Sequence, residues 1–253
     1  MTNHKIALVT GGSRGLGKNM ALSLAKKGHH IMITYATKKE EAEEVIREAQ
    51  ALGVKTAALH LDLKNIHLLD GFITALTNTL KEKFDTEKFD FLINNAGMGA
   101  TVPFEKVTEA MFDEFLNVHY KGVYFLTQKC LPYFNDGGSI INISSGTTRF
   151  SNPGYSVYAS MKGAVEIFTK YLAKELGPKG IRANVVAPGP IETDFNNAAI
   201  RSNPQMKAVL GNMTPLGRVG EASDIGGVIA FLCSADAAWI NGQRIEVSGG
   251  INS

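Results

Sequence analysis

Short, unbroken runs of Val, Ile and Leu alternate with longer stretches of helical periodicity along the whole chain, and this alternation restricts the fold more than any other feature. The runs are Lys5–Thr10 (KIALVT), His30–Tyr35 (HIMITY), Thr56–Leu61, Phe89–Asn94 (FDFLIN), Ser139–Ser144 (SIINIS), Arg182–Ala187 (RANVVA) and a short Arg244–Val247. They are apolar throughout rather than apolar and polar by turns, as strands of a parallel sheet covered on both faces must be. Between them the spacing predicts helices over Leu16–Lys27, Lys38–Leu52, Asn65–Phe84, Thr108–Phe134, Tyr155–Leu176 and Ala222–Ser234. In the second of these Ala42, Val45, Ala49 and Leu52 share the inward face, with Glu40, Glu44 and Arg47 opposite. Strand-helix alternation of this kind predicts an α/β fold, a doubly wound parallel sheet with helices on both faces and right-handed crossovers. No internal repeat or Pro/Gly/Ser-rich linker divides the chain, so 1–253 reads as one domain.

Composition excludes several classes. A net charge of +2 leaves no electrostatic footprint for nucleic acid. No basic run exceeds two residues, and no apolar stretch is long enough to span a bilayer, so no membrane partner is expected. Cys130 and Cys233 have neither CxxC nor zinc spacing and read as core thiols of a cytoplasmic protein. The six histidines, including the His29-His30 pair and His119, form no metal constellation and read as surface or core residues. Met111, Phe112 and Phe115 read as a core stripe.

Ligands of such sheets bind beyond the carboxyl ends of the strands. After the first strand comes Thr10-Gly11-Gly12-Ser13-Arg14-Gly15-Leu16-Gly17, a glycine-rich turn into a helix whose free N–H groups suit an anion. Gly12-x4-Gly17-Lys18 resembles a P-loop until Asn19, where the metal-binding hydroxyl is missing. After the second strand, Tyr35-Ala36-Thr37-Lys38 holds no carboxylate for a ribose 2′-OH. With Arg14, Lys38 and Lys39 near, the turn favours a 2′-phosphate, hence NADP(H) over NAD(H). Asp62 either caps the next helix or meets an adenine ring. Asn94-Asn95-Ala96-Gly97 suits a backbone lying against a ligand, or a simple turn. Tyr158 and Lys162, at i and i+4, share a helical face. A free phenol has a pKa near ~10, and a neighbouring ammonium is expected to lower it into the range of proton transfer.

These pieces together resemble the short-chain dehydrogenase/reductase family: TGGSRGLG at 10–17, NNAG at 94–97, Asn117, Ser145, Tyr158-xxx-Lys162 and Pro188-Gly189, in that order over nearly the whole chain. The members it is most similar to are 3-oxoacyl-[acyl-carrier-protein] reductases. The resemblance implies a Rossmann-type fold and an NADP-dependent interconversion of a carbonyl and a secondary alcohol. Tyr158 would be the general acid in reduction, Lys162 would lower its pKa and hold the nicotinamide ribose, and Ser145, thirteen residues before Tyr158, would bind the carbonyl oxygen. Asn117 would order a water that relays protons through Lys162. The cofactor set implied is Gly11, Ser13, Arg14, Gly15, Leu16, Gly17, Tyr35, Lys38, Asp62, Leu63, Asn94, Ala96, Gly97, Tyr158 and Lys162, with Pro188, Gly189, Ile191 and Thr193 at the nicotinamide end. No metal is implied. Tyr155 reads as pocket wall. The segment around 190–213 reads as a substrate lid; Thr147 and Phe150 could add contacts, and Arg149 reads as a surface residue. The substrate class stays open among acyl thioesters, sugars or polyols and other small alcohols, beside a non-catalytic cofactor sensor. The helices 108–134 and 155–176 resemble those that pair family members into a homotetramer.

Overall fold

The computed structural model describes residues 4–252. Seven strands form one parallel sheet: β1 Ile6–Val9, β2 His30–Tyr35, β3 Thr56–His60, β4 Phe89–Asn94, β5 Phe134–Ile143, β6 Arg182–Pro188 and β7 Arg244–Val247, in the order β3-β2-β1-β4-β5-β6-β7. The order reverses between β1 and β4, which creates the crevice where such sheets bind ligands.

The helices are α1 Gly15–Ala25, α2 Lys39–Gln50, α3 Leu69–Thr79, α4 Glu109–Leu116, α5 Gly122–Cys130, α6 Ser156–Leu176, the short α7 Phe195–Ala198, α8 Pro204–Met213 and α9 Ser223–Leu232. They cover both faces. Ala7, Val9, Ile31, Ile33, Ile93 and Ile141 turn to the face packed by α1, α2 and α9. The intervening Ile6, Leu8, Met32, Leu92 and Ile140 turn to the face packed by α3, α5 and α6. The central strand residues therefore meet apolar contact on one side or the other, which is why the runs are continuous.

Some predicted elements differ in detail. The long helix expected over Thr108–Phe134 is interrupted: Asn117–Lys121 forms a π turn between α4 and α5, and Leu131–Tyr133 a 3-10 turn around Pro132. The π turn depends on Gly122, whose N–H meets the carbonyl of Asn117; a Cβ there would stand 2.6 Å from that oxygen. The strand expected to begin at Ser139 begins at Phe134, with a register irregularity opposite Phe89–Phe91. Leu52 and Phe112, placed inward by periodicity, are exposed: Leu52 lies past the end of α2, and Phe112 is on the outer side of α4.

Candidate active site

The turn after β1 is built by backbone chemistry. Thr10 Oγ1 accepts from the N–H of Asn95 (3.0 Å) and of Ala96 (2.9 Å), and Asn95 Nδ2 donates to the Thr10 carbonyl (2.9 Å). The turns following β1 and β4 are thus locked together across the topological switch. Gly17 lets α1 start against this turn, since a Cβ there would lie 2.1 Å from the Gly11 carbonyl oxygen. Arg14, at the N-cap of α1, forms no side-chain cap, so the first-turn N–H groups keep their capacity for an anion.

From this turn a cavity of about 650 Å³ runs over the carboxyl ends of the strands. Its inner end is lined by Gly11, Ser13, Arg14, Gly15, Leu16 and Gly17. Tyr35 and Lys38 line it after β2, Asp62 and Leu63 after β3, and Ala96 and Gly97 after β4. Ser145, Tyr158 and Lys162 line it after β5, and Pro188, Gly189, Ile191 and Thr193 after β6. A close-packed glycine cradle, free helix N–H groups and this volume fit a dinucleotide. No carboxylate follows β2 within 36–38; Lys38 is half exposed and 3.5 Å from Glu41. Asp62 accepts from the N–H of Lys64 (3.0 Å), a turn-forming bond, while lining the cavity.

Two predicted residues are not brought there. Asn94 is buried beneath the floor, where its Nδ2 donates to Thr127 Oγ1 (3.1 Å) and Asn142 Oδ1 (2.8 Å); its neighbour Asn95 lines the cavity instead. Asn117 is not among the lining residues and donates to the Lys64 carbonyl (3.3 Å). The π turn brings His119 to the wall in its place, 1% exposed, with Nε2 2.8 Å from the Met98 carbonyl oxygen.

The expected trio of Ser145, Tyr158 and Lys162 does converge. Ser145 Oγ accepts from the N–H (3.3 Å) and Oγ1 (3.0 Å) of Thr147 and hydrogen-bonds the Tyr158 phenol. Lys162 Nζ donates to the Ile143 carbonyl (2.8 Å) and lies 5.6 Å from the Tyr158 ring centroid. The electrostatics differ from the expectation. Burial dominates and pushes the phenol above its ordinary value, with Ser145, not Lys162, acting to lower it. Burial likewise pulls the Lys162 ammonium down to about 8.

Tyr155 meets the segment after β6: Thr101 Oγ1 and Asn196 Nδ2 each lie 3.2 Å from its hydroxyl. Asn196 is one of three successive residues, with Asn197 and Ala198, at positive φ, so the segment turns sharply over the cavity. Phe195 then sets its ring 5.9 Å from that of Tyr158. Arg149 is paired with Glu246 (2.8 Å), away from the cavity, while Thr147 and Phe150 line it. Met98, His119 and Phe195 escape sequence reasoning; only the glycine at 122, which permits the π turn, could have pointed to His119. Among the described residues no group of three His, Cys, Asp or Glu could hold a metal, and no helix is long and apolar enough to cross a membrane.

The chain resembles known proteins throughout its length. A family model described as enoyl-(acyl carrier protein) reductase matches residues 11–252. The 3-oxoacyl-[acyl-carrier-protein] reductase FabG of Staphylococcus aureus is 36% identical, covering 98% of both chains. Tetrahydroxynaphthalene reductase PfmaG of Pestalotiopsis fici is 35% identical, covering 97% of this chain and 91% of that one. The crystal structure of the angucycline C-6 ketoreductase LanV with bound NADP superposes with a TM-score of 0.93 at 36% identity, covering 98% and 95% of the two chains. With the parallel sheet, the glycine turn and the Ser-Tyr-Lys convergence in place, the chain belongs to the short-chain dehydrogenase/reductase family, the NAD(P)-dependent oxidoreductases that act between CH–OH and C=O groups.

Proposed function

We propose that the protein is an NADP-dependent carbonyl reductase whose hydride acceptor is a ketone at the Tyr158 end of the cavity. The observation that carries this reading is the convergence of Ser145, Tyr158 and Lys162 on the wall of the cavity that begins at the glycine turn. Ser145 and Tyr158 present hydroxyls to one carbonyl oxygen, stabilising the charge that develops there. Tyr158, kept protonated by burial, gives its proton to that oxygen. Lys162 supplies positive charge beside the phenolate that remains. The nicotinamide supplies the hydride; the protein orients it through the turn at 11–17 and the segment at 188–193. The same residues run the oxidation in reverse.

NADP over NAD is supported by the absence of a carboxylate after β2, by Arg14 and Lys38 on that wall, and by the NADP held by LanV. The segment about 190–213 is the substrate lid. The relation to FabG favours a 3-oxoacyl thioester. A second reading, an aromatic ketone, is supported by the lining itself. Phe150, Tyr155, Phe195, Met98, Met206 and Met213 line the cavity with rings and thioethers, alongside the charged Lys162 and Asp194. It is also supported by the likeness to PfmaG and LanV. Sugars and polyols fit this lining poorly. A homotetramer working in the cytoplasm is our assembly reading. It draws on the exposed apolar residues Tyr124, Ile167 and Tyr171 along α5 and α6, on the bare Trp239, and on two buried free thiols, Cys130 and Cys233.

NADPH oxidation measured with acetoacetyl thioesters, polycyclic quinones and naphthols, sugars and steroids tests the reading. Turnover on thioesters or aromatic ketones, with NADPH preferred to NADH, is expected. Cofactor binding without turnover on any of these would return the protein to the sensor class, and activity on sugars alone would select the polyol reading.

A further inference from the structure

On α6 the residues Tyr158, Lys162 and Glu166 follow one another at i, i+4 and i+8, on one helical face. The reduction uses only the first two. Tyr158 meets the cavity, and Lys162 donates to the Ile143 carbonyl (2.8 Å) at the end of β5. Glu166 meets the segment that follows. Its Oε1 accepts from Ser144 Oγ (2.6 Å), from Thr148 Oγ1 (2.7 Å) and from Arg244 Nε (2.8 Å) on β7. Neither Glu166 nor Arg244 lines the cavity.

These bonds hold the turn that carries Ser145. Ser145 caps the 3-10 turn Gly146–Thr148, its Oγ accepting from the Thr147 N–H (3.3 Å). Thr148 ends that turn. Its hydroxyl has one proton and two acceptors in reach, the Glu166 carboxylate at 2.7 Å and the Ser145 carbonyl at 2.9 Å. The charged acceptor takes the proton, and Arg244 Nη2, 3.2 Å away, serves the Ser145 carbonyl. The contacts on the turn side thus fall on residues 144, 145 and 148, which bracket the hydroxyl that bonds the Tyr158 phenol. Arg244 also donates through Nη1 to Glu246 Oε2 (2.9 Å), and Glu246 Oε1 accepts from Arg149 Nη2 (2.8 Å). Two carboxylates alternate with two guanidiniums, so the charges balance within the group. The side chains of Glu166 and Arg244 are only 16% and 23% exposed, and the partial exclusion of water strengthens their bonds.

We propose that Glu166 and Arg244 are positioning residues for Ser145: together they fix residues 144–148 so that the Ser145 hydroxyl keeps its place beside the Tyr158 phenol. This rests on the reductase reading given above, in which both hydroxyls meet one carbonyl oxygen. Glu166 and Arg244 touch neither substrate nor cofactor and transfer no proton. Their effect is geometric, and a misplacement of about 1 Å in such a group can cost about 10²-fold in rate. Glu166 therefore extends the Tyr-Lys spacing by one more helical turn, from the reacting groups to the support of the third hydroxyl-bearing partner.

The test has two arms. Glu166→Met removes the acceptor, and Glu166→Gln keeps an amide oxygen that can accept from Ser144 and Thr148. We expect kcat for reduction to fall about 10- to 100-fold in the Met variant, with KM for NADPH changed less than about twofold, and the Gln variant to recover at least about threefold over it. Thr148→Val cuts the turn from Glu166 while leaving all four charges in place, so it decides the question if Glu166→Met does not fold. Its kcat is expected to fall at least about fivefold, again with KM for NADPH held. The second arm needs no turnover: crystal structures of the wild type and of these variants, in which Ser145 Oγ is expected to move by more than about 0.5 Å relative to the Tyr158 hydroxyl in the Met or Val variant. A kcat within about twofold of wild type in Glu166→Met or Thr148→Val, an equal loss in the Gln and Met variants, or a Ser145 hydroxyl that keeps its place would each overturn the proposal. Failure of the carbonyl panel would overturn the reductase reading while leaving the crystallographic arm to decide whether Glu166 places Ser145.

Discussion

Tyr158 carries two opposing influences, and their balance sets the pH range in which it can work. Burial raises the phenol, so it stays protonated through neutral pH, as an acid for reduction must. Lys162, brought down to about 8, is then the first group of the trio to lose its proton as pH rises. We expect kcat/KM for reduction to be level on the neutral side and to fall as pH climbs through about 8, a limb absent from the residual rate of Lys162→Met. Tyr158→Phe should lower kcat by about 10²- to 10⁴-fold while cofactor titration stays normal. Asn117→Ala should cost little, within about twofold, because its amide is bonded to the Lys64 carbonyl and does not line the cavity; a loss as large as that of Tyr158→Phe would return Asn117 to the mechanism. The Tyr-Lys pair was legible because it lies on α6, an uninterrupted helix where four residues reliably mean one face. Asn117 and His119 were not distinguishable, since the π turn adds a residue to the helical count and rotates everything after it onto another face. Asn94 failed for a related reason. Strand side chains alternate, and which of Asn94 and Asn95 faces the crevice depends on where β4 ends by one residue.

At the scale of elements, the proposed function gives cofactor binding to the turn between β1 and α1 and cofactor choice to the end of β2. Gly17→Ala would force a Cβ to within 2.1 Å of the Gly11 carbonyl, a backbone atom that cannot swing aside. We expect a loss of about 1–3 kcal/mol in stability, read as a lowered melting temperature, together with loss of cofactor binding by fluorescence titration. Ala36→Asp places a carboxylate just past β2, against any 2′-phosphate on that wall. The ratio of kcat/KM for NADPH over NADH should drop at least about tenfold; an unchanged ratio would place the selecting charges elsewhere. These elements were readable from sequence because glycine and strand ends act locally. The proposed lid was readable only as a segment. Pro204, with Asn203 accepting from Met206, does announce α8. Nothing local announces three successive positive-φ residues at 196–198, which hold through contacts with Thr101 and Tyr155 from distant parts of the chain.

At the scale of the molecule, the histidines make folding sensitive to acid. Burial lowers the pKa of His119 strongly, and also those of His29 and His30 at the opposite end of the sheet. For each, the folded value lies below the unfolded 6.5, so the unfolded chain binds the proton first. Their contribution to stability is therefore fully present above about pH 6.5 and is lost as pH falls below it. His119, the most deeply buried, sets the steepest part, with a limiting slope of about 1.4 kcal/mol per pH unit; the partly exposed His29 and His30 add less. Melting temperature should hold from pH 8 to 7 and decline between pH 6.5 and 5, and His119→Phe should flatten that decline although it starts from a different stability. A wild type whose melting temperature is level down to pH 5 would mean that these rings can charge in place. The bond to the Met98 carbonyl would then outweigh burial and the Lys162 charge at His119, and the ring that meets Tyr158 edge-on would be an imidazolium in acid.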